Sequence, residues 1–267
     1  MSKYLHREDA PFGDALWTRI DQAVVETAKA HMAARRLLHL DGPHGLGLKD
    51  VPGDDEAIET SEGLTVLASK TVPVAQIAAN FVLSQRDLAA WEERDAILNL
   101  APVARAAAAC ARQEDQILFH GSKALGTPGL LAAKGAASAK LGDWSSVGAA
   151  AEDIIAAATA LDQAGFRGPY ALALAPGLYN QLFRLYPQGS MTELDHINKI
   201  ATDGVVKAPA LQSGGVMIAS GRQYASIIVG QDLAAGFLGP TEQSYEFFLS
   251  ESVALRLVCP EAITVLK

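Results

Sequence analysis

The sequence has only two cysteines, Cys110 and Cys259, which lie far apart on segments predicted to be a helix and a strand. Small disulfide-stabilised proteins instead carry a dense set of cysteines. The two residues are therefore predicted to be buried, apolar thiols outside any disulfide framework. Their spacing also offers no metal site.

Positive charge is scarce as well. The chain has 22 lysines and arginines against 30 aspartates and glutamates, a formal net charge of -8. Proteins that bind nucleic acid usually have a basic surface to meet the phosphates. The composition therefore predicts that nucleic acid is not a partner.

A long apolar run is also missing. The best candidate, residues 147–161, is short and is interrupted by Glu152 and Asp153, so no membrane span is predicted. Residues 1–9 are charged and no apolar run follows them, so no secretory signal is predicted. We expect a cytoplasmic protein without a membrane partner, and 267 residues suffice for one large or two modest cores.

Motifs of catalysis and cofactor binding are sparse. The six histidines include no pair at i, i+4 with a glutamate between them, and no serine lies in a Gly-x-Ser-x-Gly turn. Gly45 and Gly47 lack the third glycine of a phosphate-binding loop and precede no predicted helix. We therefore predict no catalytic residue, no metal and no cofactor.

Two clusters with histidine leave an alternative open. His39 and His44 could bind a metal, although a solvated loop is the commoner arrangement. Asp195 and His196, with Glu193 nearby, could form a charge switch, and the competing interpretation is a solvated helix face.

Residues 99–121 predict the central helix of the chain. Alanine is the best helix former, Pro102 falls in the first turn after a capping candidate, Asn99, and Gly121 ends the helix. Apolar residues on one stripe of this helix, at i, i+3 and i+4 spacing, are Val103, Ala107, Cys110, Ala111, Ile117 and Leu118.

Glu114 and Asp115 near the end of this helix could be paired carboxylates for acid–base chemistry. Adjacent helical residues point in different directions, however. We therefore favour a structural role for them, in hydrogen bonds or an ion pair.

The other elements mix helices with short strands. Further helices are predicted at 15–38, 147–164, 176–185 and 191–202. Strands are predicted at 64–67, 72–83, 170–175, 216–219, 224–229, 245–249, 253–258 and 263–266, with a hairpin turn at 61–63. Because helices and strands do not alternate regularly, the predicted fold class is α+β.

Residues 46–83 are unusually acidic. The segment contains six acidic residues and two lysines, Lys49 and Lys70, so its net charge is -4. The six acids are Asp50, Asp54, Asp55, Glu56, Glu59 and Glu62. Because few large apolar residues precede Leu64, this segment can hardly bury itself and is expected to lie on another surface.

Several short motifs resemble the major capsid proteins of tailed phages. Glu114–Asp115, Gly121 and the Pro-Gly-Leu turn at 128–130 resemble the end of their spine helix. Within that superfamily the sequence is more similar to encapsulin, the shell protein of bacterial nanocompartments, also called a linocin-type bacteriocin. Further similar segments are 5–17, 35–43, 168–172, 229–233 and 258–262.

The resemblance implies the tailed-phage major capsid fold of the Hong Kong phage type, with five parts. The expected parts are an N-terminal helix arm (1–45), an extended loop (46–83), the first part of a peripheral domain with the spine helix (84–131), an axial domain (132–225) and the second part of the peripheral domain (226–267).

The resemblance also implies a function without catalysis. Encapsulins assemble into icosahedral shells and enclose cargo enzymes, of the ferritin-like or dye-decolourising peroxidase class, that carry a C-terminal targeting peptide. Iron storage and the response to oxidative stress would then belong to the cargo. Expected cargo contacts are Leu37, Leu38, Leu40 and Ile263. The expected pore loop consists of Leu185, Tyr186, Pro187, Gln188, Gly189 and Ser190.

Two other functions are compatible with the sequence. A phage or prophage capsid protein that packages DNA would share the fold, but the N-terminal helix favours the nanocompartment. An enzyme of unrecognised fold would need scattered catalytic residues. Some encapsulins bind a flavin near a tryptophan after the strand that here ends at Leu83, but Trp91 comes too late for that site to be expected.

Overall fold

The computed structural model describes residues 3–61, 63–187 and 189–267 and has the predicted mixture of helices and strands. Its α-helices are α1 (Asp14–His31), α2 (Gln85–Arg94), α3 (Ala101–His120), α4 (Ala149–Gln163), α5 (Pro176–Gln181) and α6 (Glu193–Ile197).

The strands form two five-stranded sheets and two smaller pairs. They are β1 (His39–Asp41), β2 (Asp50–Ser61), β3 (Leu64–Pro73), β4 (Ala75–Ser84), β5 (Gly121–Ser122), β6 (Thr127–Pro128), β7 (Ala137–Ala139), β8 (Tyr170–Leu174), β9 (Val205–Lys207), β10 (Gly215–Ala219), β11 (Ala225–Val229), β12 (Ala234–Pro240), β13 (Ser244–Leu257) and β14 (Ile263–Leu266).

The first sheet is organised around the long strand β13, which pairs antiparallel with β4, β11 and β12, while β1 adds to β11 in parallel. The second sheet has the order β7-β14-β10-β8-β9. Helices α1 and α3 pack on the first sheet, and α4 packs on the second. The second sheet therefore lies between two hydrophobic cores: one of its faces belongs to the core of the first sheet, and the other packs against α4.

The central helix, α3, has nearly the predicted bounds. The N-cap residue is Leu100, which makes no side-chain capping bond, and not the predicted Asn99. The Asn99 side chain lies one residue earlier and accepts a hydrogen bond from the Ala101 N–H at 3.1 Å. Gly121 follows the last turn with φ 78°. A Cβ atom there would lie 2.4 Å from the Thr127 carbonyl oxygen, so the close return of the chain requires glycine.

The first core is centred on the fully buried ring of Phe247 on β13. Phe81 on β4 stacks on it with ring centroids 5.2 Å apart, and Trp17 on α1 meets it edge to face at 5.7 Å. Burial of these large rings stabilises the core. Cys110 is buried beside this core and Cys259 is partly exposed, and both are free thiols.

The predicted helix 15–38 is too long, because α1 ends at His31. The buried carboxylate of Asp115 accepts hydrogen bonds from the N–H groups of Ala33 and Ala34, each at 2.9 Å. Those donors would otherwise serve a continuing helix. The chain instead makes a 3-10 turn at Ala34–Arg36 and then enters β1.

The predicted break between strands 245–249 and 253–258 is also wrong, because β13 continues through Ser250, Glu251 and Ser252. These polar residues are buried and bonded: Gln231 contacts both serines, and Arg35 contacts Glu251. The sequence pattern also missed α2, β1, β7, β9 and β12. Cys259 lies before a 3-10 turn and not in a strand.

The acidic segment forms the predicted hairpin of β2 and β3, although the turn residue Glu62 lies outside the described residues. Val51 at the base packs against Ile228 and Ala254 of the first sheet. Beyond this base almost the whole of β3 is exposed. We call residues 50–73 the arm.

The last strand, β14, pairs with β10 and β7 in the second sheet. The predicted boundary at residue 225 would assign it to the peripheral domain with the first sheet. The five-part division therefore stays a prediction. Among the described helices, none combines the length and the apolar character that crossing a membrane requires.

Candidate docking site

A groove of about 340 Å³ lies between α1, the start of β1 and the loop after β11. Its apolar lining consists of Val24, Val25, Ala28, Met32, Leu40 and Leu233. Its charged rim consists of Lys29, Arg35, Arg36 and Asp232. Such a combination of apolar floor and polar rim is typical of sites that bind a short peptide segment.

Two residues give the groove its open apolar surface. Leu40 is 42% exposed and Val25 is 45% exposed, although both are large and hydrophobic. The α1 residues of the lining share one face because residues three and four apart are neighbours on a helix. The groove therefore presents apolar surface that no other described residue covers.

Arg35 lies at the charged rim of this groove and contacts three carboxyl groups. Its Nη1 donates to Asp232 Oδ1 at 2.7 Å, and its Nε and Nη2 donate to Glu114 at 2.8 Å and 2.7 Å. Nη2 also donates to Glu251 Oε2 at 3.2 Å. Burial disfavours the charge of Arg35, but the hydrogen bonds and charges of Glu114 and Asp232 outweigh it and raise the pKa.

Glu114 on α3 and Glu251 on β13 are both completely buried. Burial raises the pKa of Glu251 to about 9, and the neighbouring Glu114 adds to this increase by its charge and by hydrogen bonding. Glu251 is therefore protonated at neutral pH, while Glu114 pairs with Arg35. We call Arg35, Glu114, Asp232 and Glu251 the carboxyl cluster.

Asp115 has a different role from its neighbour Glu114. It holds the turn after α1 through the N–H groups of Ala33 and Ala34. Burial raises its pKa to about 6, against the effect of these hydrogen bonds. The structural interpretation of Glu114 and Asp115, as an ion pair and hydrogen bonds, is confirmed. Sequence reasoning missed the partner of Glu114, Arg35, which lies 79 positions away in the chain.

The structure brings only one of the four expected cargo contacts into the groove. Leu40 lines it. Leu37 and Leu38 are buried in the first core, and Ile263 on β14 is 0% exposed. Docking by these four residues stays a prediction, and Leu40 is the one whose side chain is accessible in the folded subunit.

The expected pore loop is fixed at both ends, although Gln188 lies outside the described residues. Leu185 bridges to Thr192, and Tyr186 shares a hydrogen bond with His196 at 2.8 Å. The described residues of the loop, including Pro187, Gly189 and Ser190, carry no charge. Their role as a pore stays a prediction.

The expectation of a solvated helix face is wrong for Glu193, which is completely buried. Arg184 pairs with it at 2.8 Å, and its other oxygen accepts from the Gly148 N–H at 2.8 Å. Asp195 caps α6 through Thr192. A buried, fully paired carboxylate of this kind holds structure together.

His44 pairs with Asp41 at 3.0 Å on the surface, which fits a solvated loop. Over the residues that the structure describes, no group of three or more histidine, cysteine, aspartate or glutamate side chains is arranged to hold a metal ion.

Comparison with solved structures identifies the fold. The virus-like particle from Pyrococcus furiosus aligns over 94% of this chain and 99% of its own, with a TM-score of 0.74 and 19% identity. The capsid of Myoviridae phage XM1 aligns over 86% of this chain and 88% of its own, with a TM-score of 0.61 and 15% identity. The predicted tailed-phage capsid fold is confirmed.

Sequence comparison distinguishes the shell proteins from the phage capsids that share this fold. The type 1 encapsulin shell protein EncA of Myxococcus xanthus is 33% identical over 100% of this chain and 97% of its own. A family model described as an encapsulating protein for peroxidase matches residues 1–254. The chain therefore belongs to the encapsulin family, the linocin-type encapsulating proteins.

Proposed function

We propose that this chain is the subunit of an icosahedral shell that encloses a cargo protein in the cytoplasm. The observation that carries this proposal is the arm, which projects apolar side chains away from its own subunit. The cargo would be an enzyme of the peroxidase or ferritin-like class with a C-terminal targeting peptide. We propose no catalytic activity for the shell itself.

The arm supports assembly because its apolar residues have no cover. Leu64 is 75% exposed, Ile58 is 66% exposed and Leu67 is 60% exposed. An isolated two-stranded hairpin is only marginally stable in water. Contiguous exposed apolar surface generally marks an interface. A neighbouring subunit, repeated by closed symmetry, would supply the missing surface to every arm at once.

The charge of the arm suggests where on the neighbour it lies. Within 121–140, the three charged residues are Lys123, Lys134 and Lys140, and all three side chains are exposed. Oppositely charged surfaces attract each other in subunit association. We propose that the acidic arm of one subunit crosses this lysine surface of the next.

Changing Lys134 to glutamate is expected to weaken the shell at low salt and to reduce its dependence on salt. Exposed ion pairs contribute about 0.2 to 1 kcal/mol each, but the contact would recur at every interface. Light scattering against salt concentration measures the dissociation midpoint, and Arg167→Glu is the matched charge reversal elsewhere. If the dissociation midpoint changes neither with salt nor in the Lys134→Glu variant, burial of the apolar residues of the arm would explain the association instead.

The groove supports cargo docking because it offers an apolar floor within a charged rim on α1 and β1. A flexible targeting peptide could place an apolar side chain against Leu40 and Val25. The resemblance to encapsulins implies that this helix faces the interior of the shell. We propose that the cargo peptide binds here.

Leu40→Ala is expected to keep the shell and to reduce cargo binding by about tenfold, because burying one leucine contributes about 1.5 kcal/mol or more. The readout is the cargo-to-shell ratio in particles purified from the host. Leu238→Ala is the matched control, since Leu238 is an exposed leucine outside the groove.

A full cargo load in the Leu40→Ala shells would exclude the groove as the docking site. Alanine at Leu37, Leu38 or Ile263 is less informative. Those side chains are buried, and truncation there costs about 2 to 5 kcal/mol of stability whatever their role in docking.

A further inference from the structure

Glu251 interrupts the most buried part of the first sheet with an ionisable group. Its two neighbours along β13, Ser250 and Ser252, are satisfied by Gln231. Glu251 is less well satisfied: its Oε1 is buried without a hydrogen-bond donor among the described residues, its Oε2 receives the longer bond from Arg35, and its other polar neighbour is the carboxyl group of Glu114. A buried carboxyl group with so few donors is best accommodated when it carries a proton.

The second carboxyl group of the pair, Glu114, takes the stronger bonds. Arg35 donates to both of its oxygens at 2.8 Å and 2.7 Å. One guanidinium therefore neutralises Glu114, and the remaining charge on this side of the cluster is the exposed carboxylate of Asp232. Arg35 consequently links the buried pair directly to the loop that forms one wall of the groove.

We propose that Arg35 and Glu251 are positioning residues for the docking groove, and that the proton on Glu251 determines how firmly Arg35 holds the Asp232–Leu233 wall. This inference rests on the proposed function only for the consequence in cargo binding. The linkage between the proton and the wall is a property of the subunit.

The direction of the effect follows from charge. When Glu251 loses its proton to solvent, two buried carboxylates lie together beside one guanidinium. Arg35 is drawn inward, and the new negative charge repels Asp232, whose own charge already disfavours ionisation of Glu251. The bond between Arg35 and Asp232 weakens, and the wall loosens.

The wall matters for the groove because Leu233 belongs to its lining. The Leu233 N–H donates to Asp232 Oδ1 at 2.9 Å, so the position of one residue constrains the other. Leu233 also packs against Ala28, Met32 and Ala111, which connects α1 with α3. Release of Asp232 therefore changes the part of the groove that Leu233 lines.

Other ionisable groups near Glu251 do not reproduce this response. Cys110 on α3 also lies close to Glu251. Burial raises the pKa of its thiol to about 12, so the thiol stays neutral over the range in which Glu251 titrates. The charge of Arg36 lowers the pKa of Asp115 beside the turn after α1. The pKa of Asp115 is about 6, well below that of Glu251. The alkaline range therefore isolates the proton of Glu251.

The effect on stability has a defined sign. The pKa of Glu251 is raised from 4.5 to about 9 on folding, so the folded chain keeps a proton that the unfolded chain releases between these values. The free energy of unfolding should therefore fall as pH rises from 4.5 towards 9 and level off above it. Glu251→Gln, which is neutral at every pH, should remove this slope.

The test is hydrogen exchange of the amides at 232–234 in empty wild-type and Glu251→Gln particles. In the wild type, exchange corrected for its intrinsic increase with pH should rise by at least about tenfold between about pH 7 and pH 10. With a pKa of about 9, the charged fraction of Glu251 grows from about 1% to about 90% over this range. In Glu251→Gln the corrected exchange should stay constant. The amides of β8 serve as an internal control.

Equal responses in the wild type and in Glu251→Gln, or no response in either, would overturn the proposal. If Glu251→Gln does not fold, Glu114→Gln provides the second test. Removing the charge of Glu114 should let Glu251 ionise more easily, so the transition should move to lower pH, and an unchanged transition would contradict the linkage.

The two proposals can fail separately. Exchange is measured without cargo, so a pH response at 232–234 that Glu251→Gln abolishes supports the linkage even if Leu40→Ala particles keep a full cargo load. That combination would reject the groove as the docking site and retain the role of Arg35 and Glu251 in positioning its wall.

Discussion

Replacing Arg35 by alanine is expected to lower the free energy of unfolding of the subunit by about 3 to 5 kcal/mol. Removal of one partner of a buried ion pair leaves an uncompensated charge in the interior, which is far more costly than the loss of an exposed pair. Glu114 is completely buried and receives three hydrogen bonds from Arg35. No other described cation pairs with it.

Urea denaturation of dissociated subunits, followed by tryptophan fluorescence, measures this loss. Arg35→Lys should be intermediate, because a lysine restores the charge without the planar, bidentate geometry. Arg167→Ala is the matched control, since Arg167 is an exposed arginine. If Arg35→Ala lowers the free energy of unfolding by less than about 1 kcal/mol, the carboxyl cluster contributes no more than an exposed ion pair does. That result would contradict its role at the wall of the groove.

Replacing residues 53–70 of the arm by a short glycine-containing turn is expected to abolish closed shells and to leave folded subunits. Val51 and Val72, which pack at the base of the arm, remain in this variant. The deleted part makes hydrogen bonds mainly within its own hairpin. The subunit core should therefore survive, while the apolar surface that neighbours would cover is removed.

Sedimentation and circular dichroism separate the two effects. A milder variant, Leu64→Ser with Leu67→Ser, should weaken shells because it removes exposed apolar surface and keeps the backbone. Its matched control, Thr60→Ser with Thr65→Ser, changes the arm without removing large apolar groups. Intact shells after removal of residues 53–70 would show that the arm is not an assembly contact.

The sequence predicted the features whose signals are local. Helix α3 follows from alanine, Pro102 and the residues near its two ends, Asn99 and Gly121, and all of these act within a few residues. The arm follows from a change in composition and from a turn at 63. The structural role of Glu114 and Asp115 follows from the geometry of neighbouring positions on a helix.

The features that the sequence did not predict depend on partners far apart in the chain. Helix α1 ends at His31 because Asp115, more than eighty positions away, binds the next N–H groups. Strand β13 continues through Glu251 because Arg35, 216 positions away, contacts its carboxyl group. Tertiary contacts of this kind override local propensity and leave no periodic pattern in the sequence.

The candidate site shows the same division. Leu40 was predicted as a docking residue from the family resemblance and lines the groove, but its companions Leu37, Leu38 and Ile263 are buried. An apolar residue at such a position has the same sequence signature whether it faces a core or a ligand. Only the fold distinguishes the two.

The central claim, that this chain builds a closed shell, is tested most directly by sedimentation of the purified wild-type protein at physiological salt, with electron microscopy of the same sample. A capsid subunit with an uncovered arm needs neighbours related by closed symmetry. We expect a single megadalton species that consists of uniform hollow particles. A stable monomer or dimer under these conditions would contradict the account.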